Sequence, residues 1–343
     1  MKKISILKVI AFLALTAFFA SCKDEVKILS SSTGKAGEVI VVANADVWNG
    51  DAGETIRLIL TEADTLLPQP EAKFSITNIT ERQFTSVFKV HRNVVIIKTE
   101  KDRTECEVST KNNVYSAPQT IVYVIGANDQ QIVETLQKYA TKIVEIFEQA
   151  EVERVKNSLK SVENPELRTL VESKYGYSMY FPADYDLFGD KDEFMWLGLR
   201  TKKGTEGVFI YTYPYTDKAQ LSLESLIEKR NQVLKQYVLL DKEPQGSAYM
   251  TTTTYIDPVY KTLKIDDEFY ARIRGLWEVE NDFMGGPFVS YTTIDEEKNM
   301  VITFDGFVYA PSRTKRDLLR RIEGIILTAK KNDISMSKTH QMK

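Results

Sequence analysis

The chain is poor in the side chains that most often carry catalysis and metal binding. Its 343 residues include only two histidines, His91 and His340, and two cysteines, Cys22 and Cys106. With Cys22 and Cys106 far apart and the two histidines scattered, there is no CxxC redox pair and no structural-zinc ligand spacing, so neither metal nor cofactor is expected. A basic excess is also missing, with 45 Lys and Arg against 48 Asp and Glu and a formal charge of −3. Binding dominated by phosphate neutralisation needs a positive footprint, so no nucleic-acid partner is expected. No GxGxxG fingerprint, GxxxxGK[ST] phosphate loop, HExxH or GxSxG occurs. What is present is ordinary globular composition, 43% hydrophobic and 27% charged. At roughly 100–200 residues per domain, this length predicts about two domains.

The first 21 residues stand apart. Lys2 and Lys3 precede an apolar run from Val9 to Ala20 broken only by Thr16, too short to span a bilayer comfortably and patterned as a signal peptide. Phe19-Ala20-Ser21-Cys22 resembles a bacterial lipobox, with Phe19 in place of the usual Leu. That resemblance implies cleavage before Cys22 and a diacylglycerol on its thiol, so Cys22 is the predicted lipidation site. Removing Met1–Ser21 takes away three lysines and no acid, leaving 42 basic against 48 acidic residues. The acidic body is then held to the membrane by its N-terminal lipid, since each buried methylene adds about 0.8 kcal/mol. Lys23-Asp24-Glu25 resembles the short acidic export signals of Bacteroidetes surface lipoproteins; a solvated charged tether is the alternative. Asp64-Thr65-Leu66 is similar to the three-residue O-glycosylation motif of that phylum. The predicted location is the cell envelope, anchored at the outer membrane on its periplasmic face or at the cell surface.

Along the mature chain, residues 22–35 read as a flexible tether ending in Ser30-Ser31-Ser32-Thr33-Gly34. Strands are predicted at Glu38–Ala43, Phe74–Ile79, Val94–Lys98 and Thr120–Ile125, with a helix over Asp51–Ala63. Asn128–Lys160 reads as a single helix of about 50 Å, capped by Asn128 with Gln131 three residues on. Asn164-Pro165 starts another, with Gly176 just past its end. Strands at Tyr177–Phe181, Phe194–Arg200 and Val208–Tyr213, a Ser222–Tyr237 helix, a strand ladder from Met250 to Ala310 and a Ser312–Lys331 helix follow. Arg272–Glu280 has period two, with Ile273, Gly275, Trp277 and Val279 on one face and Arg272, Arg274, Glu278 and Glu280 on a face predicted to be wet. The predicted class is α+β, two domains, each an antiparallel sheet packed against helices, joined by a long helix. The predicted spans are 1–21 signal, 22–35 tether, 36–163 and 164–331 domains, and 332–343 polar tail.

The candidate chemistry is thin. His91 opens a strand beside Arg92, a setting that suits a hydrogen-bonded structural histidine and disfavours the imidazolium. Cys106 lies between Glu105 and Glu107, which oppose thiolate formation. Trp196 shares strand parity with Arg200, and an aromatic beside an arginine can stack a sugar or hold a carboxylate. The helix face bearing Arg313, Lys315, Arg316, Arg320 and Arg321 suits a solvated surface, or contact with lipid or an acidic partner.

Several strings together resemble one family, the DUF4837 lipoproteins of Bacteroidetes, over nearly the whole span Gly37–Thr328. They are Glu38-Val39-Ile40-Val41-Val42, Trp48-Asn49-Gly50, Leu67-Pro68-Gln69-Pro70-Glu71, Phe88-Lys89-Val90-His91-Arg92-Asn93, Trp196-Leu197-Gly198-Leu199-Arg200 and Gly275-Leu276-Trp277-Glu278. Gly285-Gly286-Pro287-Phe288 and Phe307-Val308-Tyr309-Ala310-Pro311 belong to the same set. The resemblance carries no catalytic residue. Tyr177–Tyr237 is similar to the opening of PsbP and Mog1-like domains, which implies an antiparallel sheet between helices. The expectation is a non-enzymatic binding or interaction module that takes an envelope protein, or a small-molecule or glycan ligand. Binding candidates are Trp48, Asn49, His91, Arg92, Trp196, Arg200, Trp277, Gly285 and Gly286. The rival is a hydrolase of envelope glycans, which would need two carboxylates about 5–10 Å apart beside Trp196 or Trp277.

Overall fold

A computed structural model describes residues 28–239 and 248–332; the predicted signal, Cys22 and residues 333–343 of the polar tail lie outside the described residues. The first half contains β1 (Glu38–Val42), α1 (Ala45–Asn49), α2 (Asp51–Thr61), β2 (Ser75–Ile79), α3 (Ser86–Lys89), β3 (Asn93–Thr99), β4 (Glu107–Asn112) and β5 (Thr120–Gly126). Their sheet has the order β2-β1-β3-β5-β4. The α+β class and the two-domain reading hold, but the predicted antiparallel pairing does not hold here. β2, β1, β3 and β5 run parallel, and only the edge strand β4 is antiparallel. The reason is visible in the side chains: Val39 and Val41 point to one core while Ile40 and Val42 point to another. A strand buried on both faces belongs to a parallel sheet whose crossovers cover both sides. α2 supplies Ile56 and Leu60 to one side, and Phe84 and Phe88 close the other.

The long helix is two helices, α4 (Asp129–Lys138) and α5 (Ala140–Leu159). They part at Tyr139, whose φ of −106° and ψ of 13° leave the helical region. Asn128 caps α4 by accepting a hydrogen bond from the Gln131 N–H at 3.0 Å, as its spacing predicts. Residues Ile143 and Phe147 of α5 enter the first core, and its far end, Val155 and Leu159, packs into the second. One helix therefore belongs to both domains.

The second half contains α6 (Pro165–Tyr175), β6 (Asp186–Lys191), β7 (Phe194–Thr201), β8 (Gly204–Pro214), α7 (Leu223–Tyr237), β9 (Met250–Thr252), β10 (Val259–Ile265), β11 (Glu268–Val279), β12 (Gly285–Asp295), β13 (Met300–Tyr309) and α8 (Arg316–Ile326). Eight strands form a sheet in the order β9-β11-β12-β13-β8-β7-β6, with β10 on the remaining length of β11; every pairing is antiparallel, as expected. Asn164 caps α6 and Gly176 ends it at φ 80°, a left-handed position that favours glycine. α6 and α8 cover one face of the sheet, and Leu226 and Leu234 of α7 cover the other. Gly306 lets α8 lie directly on β13, since a Cβ there would run into Ile322. Gly324 does the same for the crossing with α5, where a Cβ would come 2.7 Å from Val155.

The start of the chain departs from a free tether. Ser30–Ser31 pairs in parallel with Ser116–Ala117, and the Thr33 N–H donates to the Val90 carbonyl at 2.9 Å. The second half of the predicted tether is thus stitched to the first domain, because its small residues leave their backbone groups open to pairing.

Candidate functional site

A cleft of about 510 Å³ lies between the domains; a wider one of about 780 Å³, lined by Tyr215, Tyr260 and Phe269, lies within the second domain. The walls of the interdomain cleft come from α5 (Glu145, Glu148, Glu153, Lys156), β10 (Lys261, Leu263, Lys264, Ile265) and α8 (Leu319, Glu323), with Arg272 and Arg274 of β11 at the back. Asp64, from the loop between α2 and β2, also lines it.

Arg272 and Arg274 are on the strand face predicted to be wet. They are instead largely covered: Arg272 Nη2 lies 2.7 Å from Glu323 Oε1, and Arg274 Nη2 lies 2.7 Å from Asp64 Oδ2. The Tyr291 hydroxyl donates to the same Glu323 Oε1 at 2.7 Å. Burial alone would push the Glu323 carboxyl up, but Arg272 and Arg274 overcome it and hold the group below the ordinary carboxylate range. Burial also works against Asp64, and Arg274 with the Leu66 N–H brings that carboxyl down in the same way. Both acids are therefore ionised partners of arginines, not proton donors. A charge stripe turned to water and one turned to a second domain have the same period, which is why the sequence reading missed these residues. The signal that could have found them is Glu323 itself, a lone carboxylate on the stripe of Leu319 and Ile326.

Of the basic residues predicted on one face of the closing helix, Lys315, Arg316 and Arg320 are spent at the same interface, whereas Arg321 pairs with Glu206 inside the second domain. Glu71, from Leu67-Pro68-Gln69-Pro70-Glu71, accepts the Lys315 N–H at 2.7 Å and the Arg316 N–H at 3.0 Å, capping α8 from the other domain. Arg316 Nη1 donates to the Ala72 carbonyl at 2.9 Å, and Arg320 Nη2 to the Lys73 carbonyl at 2.8 Å with its guanidinium over Phe74. The predicted lipid-facing or solvated surface is, at these positions, a domain contact.

None of the sequence-chosen binding candidates lines this cleft. His91 and Arg92 belong to a buried polar hub at the start of β3. His91 Nδ1 is 3.1 Å from the Asn93 carbonyl oxygen, and its Nε2 is 3.4 Å from Glu38 Oε2. Arg92 Nη2 lies 2.9 Å from Glu151 Oε2, and Asn93 Nδ2 donates to Glu151 Oε1 at 2.6 Å. Arg154 joins them and is brought down to about 10, first by burial and then by neighbouring Arg92. The hub ties α5 to β1 and β3 at the amino ends of the parallel strands, whereas open α/β sheets bind ligands at the carboxyl ends.

Trp48 ends α1 with the Arg57 guanidinium 4.5 Å from its ring centroid, and Asn49 beside it is exposed. Trp196 and Trp277 do converge, each packed edge-on against Phe307 at 6.1 and 5.9 Å. Phe188 lies between Trp196 and Arg200, in contact with both. Gly286 lets β12 close on β13, since a Cβ there would collide with the Val308 carbonyl and approach the Trp277 indole; Gly285 would meet the Trp277 carbonyl oxygen at 2.9 Å. This aromatic row faces α7 and forms core. Arg230 of α7 reaches through it to Asp305, 2.7 Å from Nε to Oδ2, in a pair closed to solvent. Burial pushes the Asp305 carboxyl up, with Arg230 opposing.

Among the described residues, no group of three or more His, Cys, Asp or Glu is placed to hold a metal ion. Among them too, no helix is long and apolar enough to cross a membrane.

Comparison with known proteins divides the chain at the same place as the fold. Residues 164–328 match the family described as Domain of unknown function (DUF4837), and residues 32–160 match Domain of unknown function (DUF8532). The single resemblance drawn over Gly37–Thr328 is thus narrowed to its second half. No curated protein matches the chain. The Saccharomyces cerevisiae Ran-binding protein Mog1p is similar at 8% identity and a TM-score of 0.30, over 47% of this chain and 93% of that one. A point mutant of protein Mog1 gives 8% identity, a TM-score of 0.29 and the same coverage. The chain is thus similar to two families of unknown function placed end to end, one for each structural domain.

Proposed function

We propose that the chain is a lipid-anchored envelope protein acting as a non-enzymatic binding module, with the cleft between its domains as the ligand site. The observation that carries this reading is the cleft, which at about 510 Å³ has the size of a small-molecule site and draws its walls from both domains. Glycan hydrolysis would need a carboxyl with a raised pKa to protonate the leaving group. In the cleft, Asp64 and Glu323 are pulled the other way by arginines. The Asp305 carboxyl, which burial pushes up, is sealed under α7 away from the cleft. The anchor rests on Cys22 and the signal pattern before it.

The test is a crosslinking pull-down from intact cells with the full-length protein and its Cys22→Ala variant, with external protease accessibility scored in the same preparation. The expected result is a specific partner or ligand captured by the anchored form and lost with the anchor. Release of envelope glycan fragments by the purified protein, abolished by substituting a cleft carboxylate, would overturn the binding reading.

A further inference from the structure

Building on the cleft as ligand site, we propose that it takes an organic anion, an apolar body carrying a phosphate or carboxylate that Arg272 and Arg274 hold. Three observations converge on this. Each arginine commits Nη2 to an acid, while the Nε of both, like those of Arg92, Arg154 and Arg321 outside the cleft, has no hydrogen-bond partner among the described residues. A guanidinium has five N–H donors in a planar fork matched to carboxylate and phosphate oxygens, so neither arginine is saturated.

Charge is the second observation. A neighbouring cleft of about 570 Å³ shares Lys156 and Leu327 with the first and adds Lys160, Lys330 and Lys331 against a single acid, Asp266. The two linings together hold ten Lys and Arg against six Asp and Glu, and although eight of the ten are ion-paired, two lysines are left over. Lys160 and Lys330 have no ion-pair partner among the described residues, so the second cleft, which meets the first at Lys156 and Leu327, offers two uncompensated cations to an anion. The third observation is apolar: Leu263, Ile265 and Leu327 stay half-buried along the trough and pack on the second core. A bare inorganic ion would leave that surface unused, whereas an alkyl or ring body covers it.

The test is isothermal titration of the chain from residue 22 onward carrying Cys22→Ala, with octyl phosphate, decanoate, inorganic phosphate and octyl glucoside as separate probes. Octyl phosphate or decanoate should bind, inorganic phosphate at least 10-fold more weakly, and octyl glucoside not measurably. The head group that binds more tightly tells a phosphate ligand from a carboxylate one. Arg274→Gln should weaken binding 10-fold or more. Because that change also frees Asp64, a surface double variant, Lys160→Glu with Lys330→Glu, serves as a second reading and should weaken binding several-fold without altering the unfolding midpoint. Equal affinity for octyl glucoside, equal affinity for inorganic phosphate, or no binding of either amphiphile overturns the proposal. Capture of a partner in intact cells would in that case still stand for the broader binding reading, so the two failures are distinguishable.

Discussion

Glu71→Ala should unlatch the domains, because this one carboxylate from the first domain caps the closing helix of the second. Its two oxygens accept the Lys315 and Arg316 N–H groups at 2.7 and 3.0 Å, and the N-cap residue Lys315 has no side-chain cap of its own. Losing a side-chain cap costs about 1 kcal/mol, and removing a negative charge from a helix N-terminus adds about 0.3–1 kcal/mol. Lys315 is buried, so water replaces the lost acceptor poorly and the sum should sit near about 2 kcal/mol. Glu71→Gln keeps one acceptor oxygen and should cost about half as much. Urea unfolding followed by tryptophan emission reads the effect, with Trp48→Phe as background so that Trp196 and Trp277 report the second domain alone. The expected outcome is a lower midpoint at unchanged slope. Glu62→Ala, at an exposed acid paired only with Lys73, is the control and should stay within about 0.5 kcal/mol. If Glu71→Ala also stays within about 0.5 kcal/mol, the cap does not hold the interface and the argument fails.

Arg230→Met leaves Asp305 unpaired and fully buried and should cost about 3–5 kcal/mol, whereas adding Asp305→Leu should restore most of it; a double-mutant cycle by urea unfolding would refute this if the two changes were additive. Acid should loosen the cleft late. Asp64 and Glu323 have folded pKa values below their ordinary 3.8 and 4.5, so their contribution is complete above those values and is lost only as pH falls through the lower folded ones. Of these two acids only Asp64 bridges the domains, so interdomain distance followed by small-angle scattering should hold steady from pH 7 to about 4 and change only below that; opening between pH 7 and 5 would contradict the pairing.

The elements that could be read from sequence are those with local causes. Asn164, Pro165 and Gly176 bracket α6 as predicted, and Ser222 caps α7 by accepting the Ser225 N–H at 3.2 Å. Period two in Arg272–Val279 located β11 and correctly put Ile273 and Trp277 in the core. The parallel sheet was legible but misread, since Val39–Val42 and Val94–Ile97 are continuous apolar runs, the mark of strands covered on both faces. The break at Tyr139 carries neither proline nor glycine and leaves no local sign. The binding candidates were chosen for aromatic and basic chemistry near turns, and these are also the residues that make a packed sheet face and a buried polar hub. What the strings from Leu67 to Glu71 and from His91 to Asn93 hold in common is long-range polar contact, which no spacing reveals.

Arg274 is the residue at which docking and ligand binding compete. It is held by Asp64, which the first domain contributes, while neighbouring Arg272 is held by Glu323 of α8. For covered ion pairs of this kind desolvation offsets most of the attraction, so their value lies in holding two guanidiniums apart at the back of the cleft. An arriving anion must share those donors with Asp64. Asp64→Asn removes the competing charge but keeps an oxygen for the Leu66 N–H, so it should tighten octyl phosphate several-fold while making domain docking slightly weaker. Occupancy of the cleft would then be linked to the domain contact in both directions, because a ligand that weakens the Arg274–Asp64 pair is itself weakened by that pair. If Asp64→Asn leaves the affinity unchanged, Arg274 is not the group the anion meets, and the ligand lies farther along the trough toward Lys160 and Lys330.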